Sequence, residues 1–445
     1  MLIQLNNPEQ CAFPETEVAA AAFPQPFAGT LEYNAPVRGP WNIVHTGMLL
    51  PQSHQIYVCA AGCLRGVVMT AAEMQAMDRM SWVAVDEADM FNGQLEENII
   101  SGASEIIARL PKRPRAILLF ISCIHQFAGC DMARVIAELG ARHSGIDFVD
   151  CYMTPTMRKS GLTPDQLVRR QIYALLPKVP PRPQTAAIIG NDRPTMPSSE
   201  LIALFGGAGW TVRDLTQCAS YDDFLDTADS SLYITTSLPA KAAAESLAAR
   251  TGRMHLHLPL CYGDAEIRRY LRELSLNLQM TEPDWDEAAQ KAESALAQLR
   301  SELSGWKVAI DYTATPRPLG LARRLLECGI DVSCVYADVF SPEEQGDFEA
   351  IRGHFPKLRL RPTVHPSMLH APPQSPSLNC LAIGQKAAWF ENTPYFVNIV
   401  AGGGQWGFDG ICRLSAMMGE AAGHPKDTAT LIQHKGLGCR SCIWG

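Results

Sequence analysis

The stretch Ala116-Ile-Leu-Leu-Phe-Ile-Ser-Cys-Ile-His-Gln-Phe-Ala-Gly-Cys-Asp131 decides the fold. Its first half is a continuous apolar run behind the basic, Pro-containing turn Lys112-Arg113-Pro114-Arg115. Such a run is what a strand buried on both faces of a parallel sheet requires, because crossover helices cover both sides. Its second half turns polar and passes through Gly129, and a helical pattern follows over residues 131–141 before a short strand at 147–151. Strand, loop and helix in that order make one half of a βαβ unit, and two cysteines sit in the connection.

Working outward, residues 55–60 read as a strand and residues 70–78 as a helix with Thr70 as its N-cap. Lys178-Val-Pro-Pro-Arg-Pro-Gln184 can continue neither helix nor strand and reads as a linker. A second unit follows: strand 185–189, then Gly190-Asn191-Asp192, a helix opening after Ser198–Ser199 and closing at Gly206–Gly207, and strands at 210–212 and 231–235. Residues 283–304 form one long amphipathic helix. A third unit has strand 307–312, a Pro-containing loop, helix 319–328 and strand 331–336. The expected class is α/β, with three doubly wound Rossmann-like domains and mostly parallel sheets. The expected divisions are 1–180, 181–300 and 301–411, with 412–445 as a tail packing back on the first domain. Residues 1–40, rich in Pro and Ala, are expected to wrap over a partner or another domain.

Composition narrows the function. With 445 residues and 47% hydrophobic content the chain is long enough for several cores. A net charge of -8 opposes nucleic-acid binding, which needs a basic face. No apolar run approaches the length that crosses a bilayer, and residues 1–10 lack the basic and apolar regions of a secretory signal. A cytoplasmic location is expected. In that reducing compartment 14 cysteines read as buried thiols plus metal or redox sites rather than as disulfides. Cys11, Cys218, Cys328, Cys334 and Cys380 are read as buried packing residues.

Four other cysteines share a pattern. Cys59 and Cys63 flank Ala60-Ala61-Gly62 just past the first strand, where small residues let backbone approach a bulky inorganic centre. Cys123 follows the strand at 116–121, and Cys130 is expected to open the next helix, whose N-terminus would favour its thiolate. From spacing alone the set suits packing, a zinc site or an iron–sulfur cluster. Cys261 lies at a strand-to-helix elbow after His255-Leu-His-Leu-Pro-Leu260, as nucleophile, ligand or core residue. His255 and His257 share a strand face, as zinc-binding pairs do and as half-buried strand histidines do more often. Cys439-Arg-Ser-Cys442 lacks the setting of a thioredoxin-like motif. Gly402-Gly403-Gly404, with Gly407 and Gly410, is not a dinucleotide fingerprint. It reads as close backbone packing beside a buried centre.

Taken together these segments resemble the component 1 subunits of nitrogenase and its relatives, from about residue 40 to about residue 420. Ala61-Gly62-Cys63 is similar to the family's Gly-Pro-x-Gly-Cys turn. Cys123, Gly129 and Asp131 are similar to Thr-x-Cys-Pro-x-x-x-x-Gly-Asp-Asp, with Cys130 where the family has Asp. Gly190-Asn191-Asp192 resembles the opening of the second domain, and Gly407-Phe408-Asp409-Gly410 the Gly-Phe-Asp-Gly segment of the third. Leu260-Cys261-Tyr262 resembles the alpha-subunit segment that supplies the cofactor's thiolate. Thr315-Pro316-Arg317-Pro318 resembles the loop whose arginine faces that cofactor. Two positions depart: Val37 stands near the early cluster cysteine, and Val397-Asn398-Ile399 near the histidine that ligates the cofactor's far end.

The resemblance implies an alpha-type subunit of a nitrogenase-like reductase. Cys63 and Cys123, with Cys59 or Cys130, would hold an iron–sulfur cluster of 4Fe-4S or P-cluster-like type. Cys261 would hold a second, active-site iron–sulfur metallocluster beside Gly403 and Gly404, with Arg317, Arg158 and Lys159 as cations facing it. The implied partners are a homologous beta-type subunit in a heterotetramer and an ATP-dependent iron protein. The implied substrate is a small molecule, of methylthio-alkane type or unknown, since the missing histidine points away from dinitrogen. A scaffold for cofactor assembly without turnover is the alternative.

Overall fold

The computed structural model describes residues 14–27, 42–154, 161–365, 368 and 379–433. Among these, two compact units form. One takes in Met1–Ala35, Thr195–Gly209 and Pro259–Gly445, the other Pro36–Pro194 and Trp210–Leu258.

The second of these holds two four-stranded sheets. In one, Met80–Ala84, Ser53–Cys59, Ala116–Ile121 and Asp147–Tyr152 lie side by side, all parallel. In the other, Thr211–Asp214, Arg182–Ile188, Ser230–Thr235 and Met254–His257 do the same. Both have chain order 2-1-3-4. Strand Ala116–Ile121 is fully buried, as its unbroken apolar run requires. Its alternate residues enter different cores. Leu118 and Phe120 join Tyr57 and Cys59 on one face, while Ile117, Leu119 and Ile121 join Ile56 and Val58 on the other.

A buried charge network ties the first core together. The Arg169 guanidinium, on helix Pro164–Ala174, donates to both Asp165 oxygens at 3.1 and 3.2 Å and to Asp192 Oδ1 at 2.7 Å. It also donates to Thr46 Oγ1 at 3.2 Å and to the Gly190 carbonyl. Thr46 in turn donates to Asp165 Oδ1 at 2.7 Å. Helix Ile43–Met48, helix Pro164–Ala174 and the Gly190-Asn191-Asp192 turn are thereby held by one cation.

The other unit is built on a six-stranded sheet. Arg359–Arg361, Val332–Tyr336, Lys307–Asp311, Cys380–Ile383 and Phe396–Val397 run parallel, in chain order 3-2-1-4-5. Thr16–Glu17 adds an antiparallel edge. Helices Asp286–Glu302 and Gly407–Gly423 pack along each other in the same unit.

Three sets of parallel strands alternating with helices agree with the α/β, doubly wound class. One helix was misplaced. Leu64–Glu73 begins immediately after the turn at Cys63, and Thr70 lies inside it, its hydroxyl donating back to Gly66 O at 2.8 Å. A threonine satisfied four residues back cannot serve as an N-cap.

Removing the Arg169 charge strands Asp165 and Asp192 in the core. Arg169→Ala is expected to cost about 3–5 kcal/mol of stability, and Arg169→Lys, which loses the fork, somewhat less. Urea unfolding of the variants checks this, and unchanged midpoints would contradict the assigned role.

Candidate functional site

In a parallel sheet the chain leaves each strand at the same end, and ligands collect where the strand order reverses. In the first four-stranded sheet that place lies between Ser53–Cys59 and Ala116–Ile121. Register pairs Val58 with Ile121, so Cys59 and Ser122 leave the sheet at the same end, with Cys123 following Ser122. Past Cys59 a tight turn, Cys63 N–H to Ala60 O at 2.9 Å, brings the chain round to Cys63. Burial pushes the Cys59 thiol up to about 12, reinforced by the negative charges that Cys63 and Cys123 would carry as thiolates. Burial and then Cys123 push Cys63 up as well. Thiols raised as those of Cys59 and Cys63 are ionise readily only against a cation, which a bound metal supplies. Cys63 is exposed and Cys123 half-buried, so the group opens outward. Phe127, on helix Cys123–Ala128, stands 78% exposed beside it.

Cys130 behaves differently. Helix Cys123–Ala128 intervenes, Asp131 rather than Cys130 caps helix Met132–Arg142, and Cys130 N–H donates to His125 O at 3.0 Å. Burial and the neighbouring Glu96 push its thiol up, the reverse of what a helix N-terminus was expected to do. Among the described residues no three His, Cys, Asp or Glu side chains are grouped to hold a single metal ion.

Cys261 belongs to the other unit, where three loops interlock. Tyr262 Oη and Thr315 Oγ1 are 2.7 Å apart. Ala401 N–H donates to Thr313 O at 2.8 Å, and Gly402 N–H to Ala314 O at 2.7 Å. Gly402 has φ 75°, and a Cβ there would lie 2.6 Å from Leu260 Cδ2, so only glycine fits. Gly403 and Gly404 continue at positive φ. The loop carrying Cys261, the loop carrying Arg317 and the triple-glycine turn are one assembly at the carboxyl end of strand Lys307–Asp311.

The Cys261 thiol is buried, and burial together with Glu266 pushes it well up, while Arg317 and Arg269 act in the opposite sense. A thiol so placed ionises only against a strong cation, which is what a ligating metal provides. The buried thiol suits one thiolate ligand of the metallocluster that the resemblance implies, and Val397-Asn398-Ile399 supplies no imidazole as a second. Arg317 is 4% exposed, and two carboxylates take up its guanidinium: Nη1 donates to Glu266 Oε1 and Nη2 to Asp347 Oδ2, each at 2.8 Å. Asp347 also pairs with Arg323 at 3.3 Å. Glu344 accepts from Leu319 N–H at 2.8 Å, and burial pushes it up to about 8.

The structure adds a residue that sequence reading passed over. Lys386, 2% exposed, donates from Nζ to Tyr312 Oη at 2.8 Å and Thr363 Oγ1 at 3.4 Å. It lies beside the reversal point between Lys307–Asp311 and Cys380–Ile383. The signal was present as an apolar strand followed by Gly384-Gln385-Lys386. At Val397-Asn398-Ile399 the first and last side chains are buried, and Asn398 Oδ1 accepts from Gln385 at 2.7 Å. His255 and His257 both reach Thr235 Oγ1, at 2.8 and 2.7 Å. Cys334 and Cys380 are buried and Cys218 and Cys328 partly so. Arg158, Lys159, Cys11, Cys439 and Cys442 lie outside the described residues.

With Arg317 buried between two carboxylates, Glu266→Gln and Asp347→Asn are each expected to cost about 1–3 kcal/mol, since one charge partner remains in both variants. The double variant is expected to cost more than the sum. Thermal and urea unfolding measure all three, and strict additivity would contradict a shared guanidinium.

Comparison with known proteins follows the same lines. Residues 46–369 match the nitrogenase component 1 type oxidoreductase family. Comparison with curated proteins gives no match. Among solved structures, nitrogenase Cp1 at pH 6.5 superposes with a TM-score of 0.67 at 15% identity, covering 89% of this chain and 94% of that one. Nitrogenase Cp1 at pH 5 gives 0.60 at 12% identity, covering 89% and 90%. Both similarities concern the fold. No helix among the described residues is long and apolar enough to cross a membrane. The family match spans well over half of the sequence, and the chain belongs to the nitrogenase component 1 type oxidoreductases.

Proposed function

We propose that this chain is the alpha-type, substrate-reducing subunit of a cytoplasmic nitrogenase-like reductase. It receives electrons from an ATP-dependent iron protein and works beside a homologous beta-type subunit. An iron–sulfur cluster held by Cys63 and Cys123, with Cys59 or Cys130, relays electrons to a metallocluster at Cys261. The observation that carries this reading is the interlocking of the Cys261, Arg317 and triple-glycine loops around a buried thiol.

The bound clusters would supply electron storage and transfer. The chain's own residues do the rest. Tyr262, fixed by Thr315, holds the Cys261 backbone in place. The glycines at 402–404 let main chain approach a bulky group closely. Arg317, held by Glu266 and Asp347, keeps a fixed guanidinium near the thiol, where it acts against the upward push of burial and Glu266 on Cys261. Arg158 and Lys159 are further candidate cations. Valine, asparagine and isoleucine at 397–399 offer no imidazole, which supports a substrate other than dinitrogen, such as a methylthio-alkane. Exposed Phe127 beside the relay thiols supports a partner surface there.

Metal and acid-labile sulfide analysis of anaerobically purified protein tests the reading. Iron and sulfide are expected in amounts that require two clusters. Cys261→Ala is expected to remove one spectroscopic signal and leave the other, and loss of both or of neither would contradict the division of labour. Substrate reduction that depends on an iron protein and ATP separates the reductase from an assembly scaffold, which would hold iron without turning over.

A further inference from the structure

Two cysteines compete for the third position at the relay cluster, and the sheet separates them. Alternate side chains of a strand point to opposite faces, and a sheet's two faces lead into different cores. Cys59 packs in the core with Tyr57, Leu64 and Phe120. Cys130 packs on the other face, with Val58, Ile121, Ile124 and Met132. Leu64 directly follows Cys63 and lies in the Cys59 core, so the turn carrying Cys63 folds over the Cys59 side. Register pairs Val58 with Ile121, so the chain leaves both strands at the same sheet end, into Cys59 on one side and Ser122–Cys123 on the other. Cys59 thus shares a core with the residue after Cys63 and has Cys63 and Cys123 as its charged neighbours, whereas Cys130 lies in the other core and has Glu96.

We propose that Cys59, and not Cys130, is the third ligand of this chain's relay cluster, so that the set is Cys59-x₃-Cys63 with Cys123. This assignment rests on the relay reading above. It also accounts for the missing early cysteine: the ligand has moved to the last residue of the first strand, four positions before Cys63, where parallel pairing with Ala84 fixes the backbone. Each of the three thiols gives up its proton to solvent as its sulfur bonds iron, and no oxidant or reductant is consumed in that step. Cys130 keeps its thiol and serves as packing beside Glu96.

The test uses the full chain, purified anaerobically with any subunit that accompanies it. In Cys130→Ala the iron and sulfide content and both cluster signals are expected to match the parent. In Cys59→Ala the relay signal is expected to be lost, the Cys261 signal to remain and the far-ultraviolet circular dichroism to be unchanged. A Cys130→Ala protein that loses the relay signal, or a Cys59→Ala protein that keeps it, would overturn the assignment. Because Cys59 lies in a core, a second measurement avoids the substitution. Iodoacetamide labelling of the parent, read by peptide mass, is compared before and after iron is chelated. Cys63 and Cys123 are expected to become reactive only after chelation, and Cys130 to react at the same rate in both states. Iron-dependent protection of Cys130 would overturn the proposal even if Cys59→Ala failed to fold. A parent protein without iron would overturn the relay reading itself, and this assignment with it.

Discussion

Parallel pairing is the constraint on which everything else depends. Every strand pair among the described residues except Thr16–Glu17 with Arg359–Arg361 is parallel. A parallel strand cannot turn back on itself, so each must release its chain at the carboxyl end and return through a crossover. All the loops of a sheet that follow strands then gather on one edge. Where the strand order reverses, two crossovers part to opposite faces and leave a crevice. In the sheet of Ser53–Cys59 the segments that leave the strands at that end carry Cys59, Cys63 and Cys123. In the six-stranded sheet the crevice receives the 312–317 loop and Lys386.

Burial then decides what the groups can do. A thiol in a core is an unreactive thiol, and Cys59 and Cys261 are both pushed upward for that reason first. The same burial makes them selective, because only a partner with concentrated positive charge stabilises the thiolate enough to displace the proton. Packing residue and metal ligand are thus the same physical object in two states of loading. What separates Cys59 from Cys334 is company: Cys334 faces the Glu391 carboxylate and the Tyr336–Arg361 contact, which already complete its surroundings.

Much of this was legible in the residues, and the failures have reasons. Ala116–Ile121 announces a doubly covered strand because six consecutive apolar side chains must be buried on both faces. The Cys261, Arg317 and glycine segments could be read singly because each carries a local signature: an elbow, an Arg-Pro pair, a run of glycines. Their assembly could not, since the contacts joining them span Tyr262 to Thr315 and Ala314 to Gly402. Nor could the partners of Arg317, because Glu266 and Asp347 lie 51 and 30 residues away. Thr70 misled because a hydroxyl that caps one helix can equally bond the turn behind it within another. Cys130 misled because Asp131 takes the N-cap of helix Met132–Arg142 and leaves the cysteine one residue outside it, beside Glu96.

The arginine at the Cys261 site shows how the units of charge are arranged. Glu266, Arg317 and Asp347 each stand at or within the first turn of a different helix: Asp264–Asn277, Pro318–Glu327 and Gln345–His354. A helix N-terminus carries partial positive charge, and a carboxylate there is stabilised. Glu266 and Asp347 are therefore held by their own helices before they meet Arg317, and the guanidinium needs only to bridge two anions already fixed. That makes Arg317 a rigid element, unlike a long cation free to swing. A group bound at Cys261 would meet a field set in advance by three helix ends and one shared arginine. For any group that accepts and releases electrons, a field that does not relax with each transfer keeps the reorganisation cost low.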